Sequence, residues 1–217
     1  CSYPEPQELM ALFRACIPVE DSQDPALQKW MKSRSLTSNF YARVASPDFD
    51  CGTLTFVEDS RGKRKPWFPS KWKSKFPLLF PLYDSKGRMK SLQARSLQGS
   101  KHPKSMAPVG YSASGLFFAN HHALNLLRGI SHPQTLWVVE GEVDYASVAQ
   151  YDAPVLGIKS GSISALKEIQ WPERITVIIA TDHDEKGLEY AQKIMEAIAP
   201  LRPLTINLDA LMNKEAV

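Results

Sequence analysis

Two apolar runs that each end on acids constrain the fold of this 217-residue chain more than any other feature. The first, Leu136-Trp137-Val138-Val139, stops at Glu140-Gly141-Glu142-Val143-Asp144. The second, Ile175-Thr176-Val177-Ile178-Ile179-Ala180, stops at Thr181-Asp182-His183-Asp184-Glu185-Lys186-Gly187. Each run is short, rich in β-branched residues and without alternation, the pattern of a strand buried on both faces. Each delivers carboxylates at its C-terminal end, just ahead of a helix-like segment. That edge of an open α/β sheet is where ligands bind. Two acidic clusters at one sheet edge make a cation site the leading expectation.

The segments around these runs alternate between strand and helix. A helix through Tyr145, Val148 and Ala149 is expected, then a strand at 154–158, then a helix at 165–169 capped by Ser162 or Ser164. After the second run, a helix at 185–199 presents Leu188, Ala191, Ile194, Met195 and Ile198 as its apolar positions, and 204–208 reads as a last strand. Short connections in a βα series imply a parallel sheet flanked by helices. Upstream, 76–119 reads as an antiparallel unit. Its strand at 76–83 holds Pro77 and Pro81, which should confine it to an edge or bulge. The turn Asp84-Ser85-Lys86-Gly87 leads to an alternating strand in which Leu92 and Ala94 form a modest apolar face. Residues 46–75 are irregular, and 1–45 read as two helices. One carries Leu9, Leu12, Phe13 and Cys16 at helical spacing; the other starts at Asp24-Pro25 and faces inward with Leu27, Trp30 and Met31. Ser38-Asn39 reads as a turn or cap. The expected division is a helical accessory segment (1–45), a basic α+β subdomain (46–130) and an α/β domain (131–217).

Charge separates the same regions. Between Arg61 and Lys104 there are 13 Lys/Arg and one acid, Asp84, a local charge of +12; the rest holds 13 bases and 22 acids, a charge of −9. A basic half joined to an acidic half suits a polyanion track beside a cation site. In the basic half Trp67, Phe68, Trp72 and Phe76 interleave with Lys65, Lys71, Lys73 and Lys75. Such rings either stack on the bases of a single strand or pack a core, and packing is the favoured reading. No apolar stretch approaches the roughly 18–20 residues that span a bilayer. Cys1, Cys16 and Cys51 are odd in number and far apart, so no disulfide framework is expected and a reducing cytoplasm is the default. The chain opens on Cys1 with no signal-peptide pattern, which reads as a fragment of a longer protein or a processed chain.

Asp182 and Asp184, two residues apart in a turn, can both face one cation. Hard ions such as Mg²⁺ and Mn²⁺ prefer carboxylate and water oxygens. Gly187 lets the backbone turn tightly before the helix, and Glu140 suits either the metal shell or a general base. Asp182 alone is also a plausible helix cap. Phosphate-loop, dinucleotide, nucleophile-elbow and zinc-helix motifs are missing from the sequence. His121-His122 heads a helix, where adjacent side chains point in different directions, so the pair is not expected to chelate.

Glu140-Gly141 with Asp144, followed by Asp182-x-Asp184-x-x-Gly187, resembles the Toprim signature shared by DnaG-type primases, type IA and II topoisomerases, OLD-type nucleases and RecR-type repair proteins. Phe80-Pro81-Leu82-Tyr83-Asp84 with Gly87, Arg95, Pro103-Lys104 and Gly115-Leu116 is similar to the basic part of the DnaG catalytic core. The likeness, over about residues 76–200, is to the Toprim primases of phages and mobile elements. It implies a DNA primase core, a nucleotidyltransferase making RNA primers on single-stranded DNA from nucleoside triphosphates. Glu140, Asp182 and Asp184 would be catalytic. The same three with Asp144 would hold Mg²⁺ or Mn²⁺. Arg95, Lys104, Lys101, Lys90, Arg88 and Lys86 would bind nucleic acid. A replicative helicase fits as a further partner, and a membrane does not. The alternatives are a Toprim nuclease or repair enzyme and a non-catalytic nucleic-acid-binding module. The sequence departs from the pattern at His183, where primases often have Gly, and in its third acidic cluster, where only Asp209 stands.

Overall fold

A computed structural model describes residues 3–37, 40–98, 103–131, 133–182, 184–199, 201 and 204–205. The chain divides into two units, Cys1–Leu82 with Met89–Ala113, and Tyr83–Arg88 with Ser114–Val217. In chain order the first region holds α1 (Pro6–Ala15), β1 (Ile17–Pro18), α2 (Pro25–Lys32), β2 (Arg43–Val44), β3 (Phe56–Glu58), β4 (Arg64–Pro66), α3 (Trp72–Lys75), β5 (Leu78–Tyr83), β6 (Met89–Arg95) and β7 (Ser105–Met106). The second holds β8 (Phe118–Ala119), α4 (His121–Leu127), β9 (Thr135–Glu140), α5 (Gly141–Ala149), β10 (Val155–Ile158), the 3-10 helix Ser160–Glu168, β11 (Thr176–Ala180), α6 (Glu185–Ala197) and β12 (Leu204–Thr205).

The helix starts of the first unit follow from their N-terminal residues. Pro6 and Pro25 sit at the first helical positions, where no N–H is needed, and Asp24 Oδ1 accepts the Ala26 N–H at 2.8 Å. Leu9 and Leu12 of α1 pack with Trp67, Phe68, Trp72, Leu79, Leu92 and Ala94 in one core. The rings of Trp67, Phe68, Trp72 and Phe76 meet edge to face in sequence, and the first three are buried. The packing reading of these aromatics therefore holds. The sheet order is β1-β2-β5-β6-β7, so the segment expected to be wholly helical also contributes two short strands.

The prolines do not push β5 to an edge: it lies between β2 and β6. Pro77 accepts from the Ala45 N–H, and strand alternation turns Leu79 and Pro81 toward the same neighbour. β2 ends with Arg43 opposite Leu79, so the missing N–H of Pro81 falls beyond its partner and breaks no ladder bond. Leu92 and Ala94 are buried on β6 as expected, but so are Ser91 and Gln93 on its other face.

The second unit is an α/β layer. Its sheet runs β12-β11-β9-β10-β8; β10, β9, β11 and β12 are parallel, and β8 joins antiparallel at one edge. Leu136, Val138, Leu156, Ile158, Val177 and Ile179 form one face, covered by α4, α6 and the 3-10 helix. Gly157 has the opposite parity, and a Cβ there would lie 2.7 Å from Tyr145 Cβ, so α5 covers the second face. The two faces of β9 and β11 are not equally closed. Leu136, Val138, Val177 and Ile179 are buried on the first; on the second Val139 and Ala180 are buried, Trp137 and Ile178 only half-buried and Thr176 exposed. The burial on both faces expected from the missing alternation is met only toward the C-terminal ends of the strands. The segment expected as an α-helix after β10 is a 3-10 helix. Ser162 does not cap it, because its hydroxyl is buried and donates to Leu116 O at 2.6 Å. The last strand is described only over Leu204–Thr205, and the rest of the expected 204–208 strand, like Ser38-Asn39, lies outside the described residues. Among the described residues no helix is long and apolar enough to cross a membrane.

Candidate active site

Three adjacent parallel strands end at one level. Val139 pairs with Ala180, and Glu140 pairs with Ile158. Glu140, Thr181-Asp182 and Lys159 thus leave the sheet at the same edge, on chains about 4.8 Å apart. Glu140 passes straight into α5 through Gly141, whose φ of +74° is one that L side chains rarely adopt. Glu140 occupies the cap position of α5 but makes no side-chain cap bond, so its carboxylate is not consumed by the helix.

The second acidic cluster is fixed by α6. Asp184, not Asp182, is the helix cap: its Oδ1 accepts the Gly187 N–H at 2.8 Å. Thr181 Oγ1 donates to the Gly187 carbonyl at 2.9 Å. A Cβ on Gly187 would lie 1.8 Å from the Asp182 carbonyl oxygen. Gly187 itself is helical. Its contribution is therefore the close approach of the first turn of α6 to Asp182, rather than the tight turn expected from the sequence.

The electrostatics show that these acids share a region. Burial pushes the Glu140 carboxyl above its ordinary value, and the charges of Asp182 and Asp184 push it further in the same direction. Mutually repelling oxygens beside a half-buried carboxylate fit an oxygen-preferring dication such as Mg²⁺ or Mn²⁺. Asp144 sits one turn into α5 and is partly buried.

Two further groups at this edge carried no signal in the sequence reading. Lys159, just past Ile158, has its ammonium pKa lowered by burial, an effect that the Glu142 charge opposes. Tyr190 on α6 is buried. Its hydroxyl finds no hydrogen-bond partner among the described residues, and its pKa is raised by burial and by the charge of Glu140. The buried face of α6 runs through Gly187, Tyr190, Ala191, Ile194 and Ala197, whereas Leu188 and Met195, expected inside, are 60% and 36% exposed. A tyrosine on a helix reads as surface or core from sequence, and only the chosen face brings it to Glu140.

The basic residues are spread over both units. In the first, Lys90 lies half-buried on β6. Arg95 ends that strand at 8% exposure, with its guanidinium over the Trp30 ring at 5.6 Å. Lys104 is exposed beside Ser105, the cross-strand partner of Arg95. The same unit has a groove of about 1440 Å³ lined by Arg61, Lys63, Lys65 and Lys71. In the second, Lys86 is exposed in the turn, and Arg88 pairs with Asp84 at 2.7 Å. Lys101, His183 and Asp209 lie outside the described residues.

A parallel sheet that carries a glutamate at one strand end and an Asp-x-Asp turn at the next defines a Toprim-like domain, and the Toprim-like family model matches residues 137–211. No curated protein matches the chain. Among solved structures, the DnaG primase catalytic domain bound to ssDNA is 20% identical with a TM-score of 0.64, covering 97% of this chain and 76% of that one. A DNA primase domain from Pseudomonas aeruginosa is 20% identical with a TM-score of 0.64, covering 96% and 74%. The primase fragment of the bacteriophage T7 primase-helicase protein is 14% identical with a TM-score of 0.51, covering 85% and 69%. The chain has the fold of a DnaG-type primase catalytic core, with a Toprim-like domain as its second half.

Proposed function

We propose that this chain is a primase catalytic core that synthesises RNA primers on single-stranded DNA. The reading is supported above all by the grouping of Glu140, Asp182 and Asp184 at one sheet edge in a chain similar to DnaG cores over nearly all its length. Asp182 and Asp184 would hold Mg²⁺ or Mn²⁺, with Glu140 and Asp144 beside them. A bound ion would neutralise phosphate charge and align the attacking and leaving oxygens. The reaction joins a 3′-hydroxyl oxygen to the α-phosphorus of an incoming nucleoside triphosphate, and pyrophosphate leaves. Glu140, with its raised pKa, is suited to accept the proton of the attacking hydroxyl. The Asp184 carboxylate is held by its cap bond, and the backbone of Asp182 packs closely against Gly187 in the first turn of α6. Lys86, Arg88, Lys90, Arg95, Lys101 and Lys104 would contribute the positive charge that holds template and nucleotide. The partners are single-stranded template, nucleoside triphosphates and a replicative helicase, in the cytoplasm.

The test supplies single-stranded template, nucleoside triphosphates and Mg²⁺ or Mn²⁺, with labelled DNA to score cleavage. New oligoribonucleotides that vanish in Asp182→Ala, with the fold intact by circular dichroism, are expected. Strand scission lost in the same variant would make the chain a nuclease instead. Binding without either reaction would make it a non-catalytic module.

A further inference from the structure

The opposite edge of the second unit's sheet carries a cluster that the proposed reaction does not use. His122 Nε2 lies 3.2 Å from Asp152 Oδ2, and His121 Nδ1 lies 3.8 Å from Asp152 Oδ1. The two imidazole rings are 3.8 Å apart, and one ligand atom from each of the three residues falls within 4.8 Å of the others. Adjacent residues inside a helix would diverge, but these occupy the first two positions of α4. No preceding turn crowds their rotamers there, and both rings fold toward the same carboxylate.

The backbone beneath is fixed. Asn120, fully buried, accepts from Ala123 N at 3.2 Å and Val155 N at 3.3 Å, and donates to Ala153 O at 2.7 Å. This one side chain joins the segment leading into His121-His122 to the segment leaving Asp152. Asp152 itself holds φ +58°, a left-handed conformation that Asp tolerates better than most residues. The three side chains remain open to solvent, so an ion can enter without moving the core.

We propose that His121, His122 and Asp152 form a second metal site, selective for a transition-metal dication of the Zn²⁺ class and separate from the carboxylate edge. Two imidazoles and one carboxylate are a common zinc set, with water completing four-coordination. Ligand atoms around such an ion stand about 3.3 Å apart; His122 already meets this spacing at 3.2 Å, and His121, 3.8 Å from the other carboxylate oxygen, would close in by a small side-chain rotation. Mg²⁺ and Mn²⁺, expected at Glu140, Asp182 and Asp184, favour oxygen donors instead. Ala119 pairs with Leu156, which sets the cluster at the start of β10, whereas Glu140 pairs with Ile158 at its end. The length of β10, on the order of 10 Å, separates the two sites. A bound ion would fasten the start of α4 to the α5–β10 connection.

The full chain, stripped of metal, is titrated with Zn²⁺ in excess Mg²⁺, and with Co²⁺ as a spectroscopic probe. One equivalent of Zn²⁺ should bind and raise the thermal midpoint, and Co²⁺ should give visible absorption of a low-coordinate site. Affinity should fall at least tenfold in His122→Ala and in Asp152→Asn, the latter chosen because Asn accepts the same backbone conformation. Asp182→Ala should leave Zn²⁺ uptake unchanged, so that failure here is distinct from failure of the primase reading. Absent Zn²⁺ uptake would overturn the proposal, as would uptake indifferent to both ligand variants or abolished by Asp182→Ala.

Discussion

Replacing Gly187 by alanine tests whether the first turn of α6 sets the position of Asp182. On an ordinary helix the change stabilises, because alanine exceeds glycine in helix propensity by about 1 kcal/mol. Here the new methyl would sit 1.8 Å from the Asp182 carbonyl oxygen and 2.6 Å from its carbonyl carbon. Reaching a 3.0 Å contact requires about 1.2 Å of relative movement between backbone segments that cannot rotate away. Overpacking of this kind costs roughly 1–3 kcal/mol, enough to cancel or reverse the propensity gain. The movement falls on the residue between β11 and the Asp184 cap, so it displaces a carboxylate of the candidate site directly. A displacement near 1 Å is worth about a hundredfold in rate when alignment carries the catalysis.

The expected result is therefore a Gly187→Ala protein that folds, unfolds at the wild-type temperature or slightly below, and binds Mn²⁺ more weakly by calorimetry. Primer synthesis should drop about a hundredfold. Mn²⁺ affinity reports on the site independently of the reaction assigned to it. A variant more stable than wild type, with Mn²⁺ affinity unchanged, would refute the reasoning: α6 could then shift without carrying Asp182.

Two further outcomes test the first unit and the basic track. Burial pushes the Glu8 carboxyl up, but bonds from the Thr55 N–H, the Trp67 Nε1–H at 2.8 Å and the Thr55 hydroxyl at 2.8 Å outweigh it, and the net pKa lies below 4.5. A lowered carboxyl contributes stability that is complete above its unfolded value and is lost as pH falls through the folded one. Glu8→Gln should thus destabilise by about 1–2 kcal/mol at neutral pH, a range that allows for Glu8's partial exposure. In thermal unfolding the gap from wild type should close below about pH 4.5; a gap constant down to pH 3 would contradict the assignment. Lys104→Ala should weaken single-stranded DNA binding and reduce the slope of log K against log salt by about 0.7. An unchanged slope would remove Lys104 from the track.

Much of the carboxylate edge was legible because its causes are local. Short β-branched runs without alternation mark strands of a parallel sheet, here fully buried on one face and partly on the other, and the residues ending such runs must emerge at a sheet edge. The ends of β9 and β11 follow from that pattern alone, as do Asp24-Pro25 for α2 and Leu9 with Leu12 for α1. What the pattern missed depends on partners remote in sequence. Ile17–Pro18 and Arg43–Val44 are strands only because β5 supplies a neighbour, directly to β2 and through it to β1. Pro81 is tolerated inside the sheet only because β2 stops short of it. The histidine pair converges only because Asp152 arrives from another segment, 30 residues away.

The inward face of α6 shows why such cases exceed a periodicity argument. Of the five positions expected inside, Ala191, Ile194 and Ile198 are buried, while Leu188 and Met195 on the flank of that face are exposed and Tyr190 and Ala197 are buried in their stead. Hydropathy would centre the buried face nearer Leu188 and Met195, yet it is rotated toward Tyr190 and Ala197. The decision is made at Gly187, the only residue type that lets the first turn close on the Asp182 carbonyl. Once that contact is made the rotation of the helix is fixed, and Tyr190 turns inward beside Glu140 while Leu188 turns out. The glycine of the Asp-x-Asp-x-x-Gly pattern therefore links two levels: it lets the helix pack against the main chain of Asp182 and selects which side of the helix forms the core.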